Sequence, residues 1–213
     1  MNRLSLATWN INSVRLRIDR VIAFLKREKP EILCLQEIKC LDDQFPRKAF
    51  EAAGYKYIHL SGQKGMHGVA IVSKLPIKPL DTPGLCRHGH ARCAAVEVAG
   101  FEVQNLYVPA GADIPDPAVN EKFAHKLDFV ERMHDFYAAR AAKRSALPLL
   151  VAGGRALGIK QGRHLAFKQP DHPYFKDRPA APPLSNLFCT LLDHLDVPVK
   201  TFADSTGRIA ELS

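Results

Sequence analysis

The chain has 213 residues, 46% of them hydrophobic and 24% charged, which suits a folded domain with a sizeable core and excludes a low-complexity or disordered chain. A formal net charge of +8 favours a polyanionic partner, such as nucleic acid or an acidic membrane surface, over an acidic one. Five cysteines (Cys34, Cys40, Cys86, Cys93 and Cys189) without a C-x-x-C pair argue against a zinc site or disulfide framework and for a reducing cytoplasm. No apolar run reaches the roughly 20 residues of a membrane span, and Arg3, Asn10 and Arg15 interrupt any N-terminal signal core.

In chain order, Leu4 to Thr8 reads as a short buried strand. Val14, Ile18, Val21, Ile22 and Leu25 recur at helical spacing and predict a helix from Val14 to Lys29, which Pro30 ends. "ILCLQ", Ile32 to Gln36, is a second strand, so the opening is a β-α-β unit with parallel pairing expected. A helix over Pro46 to Ala53 stops at Gly54. A strand over Tyr55 to Leu60 leads into the Gly-rich loop "SGQKGMHG", and the strand "VAIVSK" follows. Ala94 to Val98 and Phe101 to Tyr107 predict a hairpin about Gly100. Pro109 to Asn120 is a loop rich in Pro and Asp. Lys122 to Ala142 is a long helix with Phe123, Leu127, Val130, Met133 and Phe136 as its stripe, and Leu147 to Ala152 is a further strand. Beyond Gly153 the character changes. Residues 154–183 are rich in Gly, Pro and basic residues and read as exposed loop, and Leu184 to Leu195 has helical periodicity again. A boundary therefore falls near residue 153.

Three predicted strands end in polar residues: Asn10, then Gln36 and Glu37, then Asn105 with Tyr107. In an open α/β sheet such ends converge in one crevice. A carboxylate with carboxamides suits a hard, oxygen-preferring cation such as Mg²⁺, which can activate water and neutralise charge on a phosphate. Tyr107 could position a phosphate oxygen or take part in proton transfer. Each residue also has a structural reading: Asn10 as a helix cap, Glu37 paired with Lys39, Tyr107 in the core.

Taken together, "TWNINSVR" and "LQEIK" at this spacing, with "GMHGVAIVSKLPI" and "NLYVPAGADIPDPAVNEKFAHKLDF", resemble the exodeoxyribonuclease III family of abasic-site endonucleases, from residue 2 to about residue 153. The resemblance implies a four-layer α/β sandwich of two mixed sheets with outer helices, DNase I-like. It implies Mg²⁺-dependent (or Mn²⁺-dependent) cleavage of DNA phosphodiesters at abasic sites and 3′ ends, by a monomer acting on double-stranded DNA with no membrane involved. Carried over by position, Asn10 and Glu37 match the family's metal-site residues and Tyr107 its catalytic tyrosine at the scissile phosphate. Arg92 falls where the family contacts the DNA backbone. Lys64, in the loop before "HGVA", is a second candidate phosphate contact or else a solvated loop lysine. The basic charge suits such a role, because phosphate contacts supply most non-specific DNA affinity.

The family pattern stops at residue 153. Where it continues G-D-L-N, this chain has Gly153-Gly154-Arg155-Ala156, so Gly154 stands for the aspartate and Ala156 for the asparagine. Arg155 binds phosphate well but stays protonated and makes a poor base. The closing S-D-H motif has no counterpart, and the metal-site aspartate that follows in the family has only Asp193 as a candidate. The stretch after residue 148, with "GRHL", "PLSNLFCTLL" and "FADSTG", resembles instead the C-terminal end of an unrelated, uncharacterised bacterial family associated with the alkaline-phosphatase-like superfamily. The chain therefore reads as an exodeoxyribonuclease III-like region, 1–153, joined to an unrelated tail, 154–213, with impaired catalysis expected. The alternative is a non-catalytic DNA-binding remnant or a non-functional fusion.

Overall fold

The computed structural model describes residues 4–141, 186, 189–190 and 205–208. The strand expected at 147–152 and the loop at 154–183 lie outside these, as does the helix at 184–195 except for Asn186, Cys189 and Thr190, which are helical. The chain divides into two compact units, Met1–Pro109 and Ala110–Ser213.

The first unit holds two sheets. Strands β1 (Leu6–Asn10), β2 (Ile32–Gln36), β3 (Tyr57–Ser61) and β4 (Val69–Ser73) form one, in the order β1-β2-β4-β3. β1 and β2 run parallel, joined by helix α1 (Ile18–Glu28), while β4 is antiparallel to both β2 and β3. Strands β5 (Ile77–Leu80), β6 (Cys93–Val98) and β7 (Phe101–Leu106) form the second sheet, antiparallel and in that order.

The continuous apolar runs of β2 and β4 arise because the first sheet is covered on both faces. Leu33, Leu35, Ala70 and Val72 point to one side, into a cluster with Val21 and Leu25 of α1 and Phe50 of helix α2 (Arg47–Ala52). Ile32, Cys34, Val69 and Ile71 point to the other, against Ala94, Val96, Val98 and Val103 of the second sheet. Burial of a Leu, Ile, Val or Phe side chain contributes about 1.5–3 kcal/mol, so these two clusters are the main stabilising contacts of the unit. One polar group crosses the apolar seam between the sheets. Asn105 on β7, 3% exposed, donates from Nδ2 to the carbonyls of Leu35 and Ala70, both at 2.9 Å, and accepts from Gln36 Nε2 at 2.7 Å.

The second unit carries helix α3 (Glu121–Ala141), which Asn120 caps: its Oδ1 accepts from the amides of Lys122 and Phe123. No helix among the described residues is long and apolar enough to cross a membrane.

Sequence and structure part at four places. β1 spans Leu6–Asn10 instead of Leu4–Thr8 and is only partly covered, because it lies at the edge of the described sheet. α1 begins at Ile18 instead of Val14, because Asn12 and Ser13 take positive φ (46° and 83°) and the chain turns before it becomes helical. Tyr55 does not open β3; it is fully buried and donates its hydroxyl to the Pro30 carbonyl at 2.7 Å. β5 was not visible in the sequence, since "IKPL" shows no apolar alternation and carries Pro79, which only an edge strand tolerates. The hairpin between β6 and β7 turns on Ala99 and Gly100, both at positive φ (50° and 81°), the geometry that matches strand twist in a two-residue loop.

Candidate active site

Register brings the polar strand ends together. Asn10 pairs with Gln36 at the level ends of parallel β1 and β2, so the next residue, Glu37, leaves β2 beside Asn10. Asn10 Nδ2 donates to Glu37 Oε1 at 2.7 Å, and the Tyr107 hydroxyl, arriving just past β7, donates to the same oxygen at 2.8 Å. Lys39 Nζ lies 3.1 Å from Glu37 Oε2 and donates to Asn12 Oδ1 at 2.6 Å. One carboxylate thus gathers a carboxamide, a phenol and an ammonium from three segments.

The backbone around this cluster is strained. Asn12, Ser13, Glu37, Lys39 and His67 all have positive φ, at 46°, 83°, 55°, 52° and 54°. Such conformations cost of order 1–3 kcal/mol each and persist only where neighbours over-determine them. The neighbours are identifiable. Ile38 donates its amide to Gly68 and Lys39 to His67, so the turn that aims Glu37 is laced to the loop before β4. Gly68 is required there: its φ is +80°, and a Cβ would lie 2.6 Å from Ile38 Cγ1.

Partial burial pushes the Glu37 carboxyl up, but hydrogen bonds from Asn10, Tyr107 and Lys39, with the Lys39 charge, outweigh it and hold Glu37 below the usual carboxylate range. Tyr107 moves the other way. Burial raises its phenol, and the hydrogen bond it gives to Glu37 and the negative charge there raise it further, against the opposing Arg92 charge. At neutral pH the pair is a carboxylate and a neutral phenol, so Tyr107 is a hydrogen-bond donor rather than a base.

The oxygen donors of Glu37 and Asn10 are the hard type that Mg²⁺ and Mn²⁺ prefer. A cation bound through one or two carboxylates, keeping several waters and adding substrate phosphate, suits a single glutamate. Among the described residues no group of three or more His, Cys, Asp or Glu is arranged to hold a metal.

Of the five residues singled out from the sequence, Asn10, Glu37 and Tyr107 meet at hydrogen-bond distance. Arg92 does not enter the cluster directly. It is 6% exposed, its guanidinium lies 4.7 Å from the centroid of the Tyr107 ring, and NH1 donates to the Tyr107 carbonyl at 3.0 Å. It therefore backs Tyr107 from behind, by cation–π contact and a backbone bond. Lys64 is exposed in the loop between β3 and β4 and makes no hydrogen bond or ion pair with Glu37, Asn10 or Tyr107. The sequence marks Lys39 only as a structural partner of Glu37 and Asn105 only as a strand-end residue, and gives Asn12 no role. The lysine two residues past a strand-end glutamate and the double asparagine of "NIN" were the available signals.

Two packed sheets thus bring a carboxylate, carboxamides, a phenol and an ammonium together at their strand ends, a set whose oxygens suit a hard cation. The chain belongs to the Endonuclease/Exonuclease/phosphatase family, whose profile matches residues 7–153. It is 30% identical over 138 residues to exodeoxyribonuclease III of Haemophilus influenzae, a match covering 60% of this chain and 51% of that protein. It is 32% identical over 116 residues to recombination repair protein 1 of Drosophila melanogaster, covering 50% of this chain and 16% of that protein. Among solved structures, an AP endonuclease from Archaeoglobus fulgidus superposes with a TM-score of 0.59 at 32% identity, over 73% of this chain and 63% of that one. A 3′ phosphatase from Neisseria bound to a product DNA hairpin superposes with a TM-score of 0.59 at 31% identity, over 67% and 55%. The chain thus spans about half the length of the exodeoxyribonuclease III it matches.

Proposed function

We propose that this chain is a DNA repair nuclease of the exodeoxyribonuclease III and abasic-site endonuclease type. It binds double-stranded DNA at abasic sites and 3′ ends as a monomer in a reducing cytoplasm, and it hydrolyses phosphodiesters slowly with Mg²⁺ or Mn²⁺. The single observation that carries the reading is the Glu37 cluster, in which one strand-end carboxylate is gripped by Asn10 and Tyr107. The names of the relatives support DNA as substrate, and the net charge of +8 suits phosphate contacts.

In this reading Glu37 and Asn10 hold the cation through their oxygens. That cation would supply charge neutralisation at the phosphate and make water a stronger acid. Tyr107, kept protonated by burial and by Glu37, supplies a hydrogen bond to a phosphate oxygen. Arg92 keeps the Tyr107 ring and backbone in place, and Lys64 adds an outer charge toward the DNA backbone. Turnover is slow because Gly154 and Ala156 bring neither the carboxylate nor the carboxamide of the family's G-D-L-N run. Loss of a general base removes about 10²–10⁴ in rate. The unrelated tail, 154–213, belongs to the same reading and has no part in the chemistry.

The test is incubation with a duplex carrying one synthetic abasic site, in Mg²⁺ and in EDTA. Slow nicking in Mg²⁺, absent in EDTA and lost in Glu37→Ala, supports the reading. Nicking that survives Glu37→Ala refutes the assignment of Glu37, and salt-sensitive DNA binding with no nicking at all favours a binding remnant instead.

A further inference from the structure

Both oxygens of Glu37 are already engaged. Oε1 accepts from two neutral donors, Asn10 Nδ2 at 2.7 Å and the Tyr107 hydroxyl at 2.8 Å, while Oε2 faces the Lys39 ammonium at 3.1 Å. The three donors differ in what they do to an incoming cation. A carboxamide and a phenol are neutral, and by rotating they can present an oxygen instead of a hydrogen. An ammonium has no acceptor and carries a full positive charge.

Lys39 is also fixed in place. Its backbone amide is bonded to the His67 carbonyl at 3.0 Å, its φ is +52°, and its Nζ has a second anchor on Asn12 Oδ1 at 2.6 Å. Asn12 is held in turn by Arg17, which donates to its carbonyl, and by Asn10 Oδ1, which accepts its amide. The side chains of Lys39 and Glu37 are 31% and 20% exposed, so salt screens this pair less than a surface pair.

We propose that Lys39 is a tethered counter-cation that competes with a divalent cation for Glu37, so that cation binding must move the ammonium off Oε2 while Asn12 retains it. The proposal rests on the reading of Glu37 as the cation ligand and adds what limits its affinity. Without a divalent cation, Lys39 neutralises Glu37 and keeps the strand-end turn closed. With one bound, the ammonium on Asn12 stands beside the site as a monovalent charge available to a phosphate. In a water-like dielectric a divalent and a monovalent charge a few ångströms apart would repel enough to weaken binding roughly 5- to 10-fold after screening.

The experiment is Mn²⁺ binding to the full chain, followed by the EPR signal of the free ion, for wild type, Lys39→Gln, Lys39→Arg and Glu37→Gln. Near-ultraviolet circular dichroism of Trp9, packed edge-on against Phe24 at 5.5 Å, shows that each variant keeps its fold. The expected result is binding about 5- to 10-fold tighter in Lys39→Gln, close to wild type in Lys39→Arg, and lost in Glu37→Gln. Glu37-dependent binding that is unchanged or weaker in Lys39→Gln overturns the proposal and leaves Glu37 as the ligand. Binding that ignores Glu37→Gln, or no binding in any variant, overturns both.

Discussion

Asn105→Asp replaces one atom in the seam between the sheets and tests whether that bridge holds the site's platform together. The native carboxamide donates to the carbonyls of Leu35 and Ala70, both at 2.9 Å, and accepts from Gln36 Nε2 at 2.7 Å. An ionised carboxylate keeps the Gln36 bond and turns an oxygen toward two carbonyl oxygens. Each buried acceptor stranded this way costs about 1–3 kcal/mol, and the site is only 3% exposed, so a loss near 3 kcal/mol is a moderate expectation. For a chain of this size that corresponds to a fall of about 6–12 °C in Tm. The sign of the pH dependence follows from burial. Desolvation raises the new carboxyl above its unfolded value, so at low pH it stays protonated, donates to one carbonyl and recovers part of the loss. As pH rises through the folded value, that recovery disappears. The fluorescence of Trp9, the only tryptophan and in the same unit as Asn105, follows the transition. A Tm change under about 2 °C at pH 8, or an equal change at pH 5 and pH 8, refutes this account of the bridge.

Gly68→Ala places a Cβ 2.6 Å from Ile38 Cγ1 at a φ of +80°, so it should destabilise by about 1–3 kcal/mol, read from the urea midpoint, and weaken Glu37-dependent Mn²⁺ binding as well. Tyr107→Phe removes one hydrogen bond that lowers Glu37, so the Glu37 carboxyl, followed by ¹³C NMR, should titrate higher than in wild type. In wild type the Glu37 carboxyl lies below its ordinary value. Its contribution to stability is therefore present above the unfolded value and lost as pH falls through the folded one, and Glu37→Gln should flatten that part of the acid limb in denaturation curves. Burial pushes the Cys34 thiol up to about 12, so at pH 8 it should react with a thiol reagent only after the chain unfolds.

The parts of the fold that could be read from sequence are those where one physical cause dominates. β2 is legible because burial on both faces makes it a continuous apolar run, and the hairpin because Gly100 separates two strand-like segments. β5 is not, because an edge strand with Lys78 and Pro79 carries no periodic signal. In the site, strand-end position brings out Asn10, Gln36, Glu37, Asn105 and Tyr107, since register fixes where strands stop, and the resemblance to the exodeoxyribonuclease III family singles out Asn10, Glu37 and Tyr107 among them. The burial of Arg92 behind Tyr107 depends on which way a side chain turns at a strand start, and the Lys39–Asn12 link depends on positive φ at both residues. Neither follows from a one-dimensional pattern.

The most direct test of the account is the single-turnover rate on a duplex with one synthetic abasic site in Mg²⁺, measured beside exodeoxyribonuclease III of Haemophilus influenzae. A rate lower by about 10²–10⁴, abolished by Glu37→Ala, is the predicted result. A rate within tenfold of that enzyme, or one that Glu37→Ala leaves unchanged, would contradict a site built on Glu37 and lacking the Asp and Asn that Gly154 and Ala156 replace.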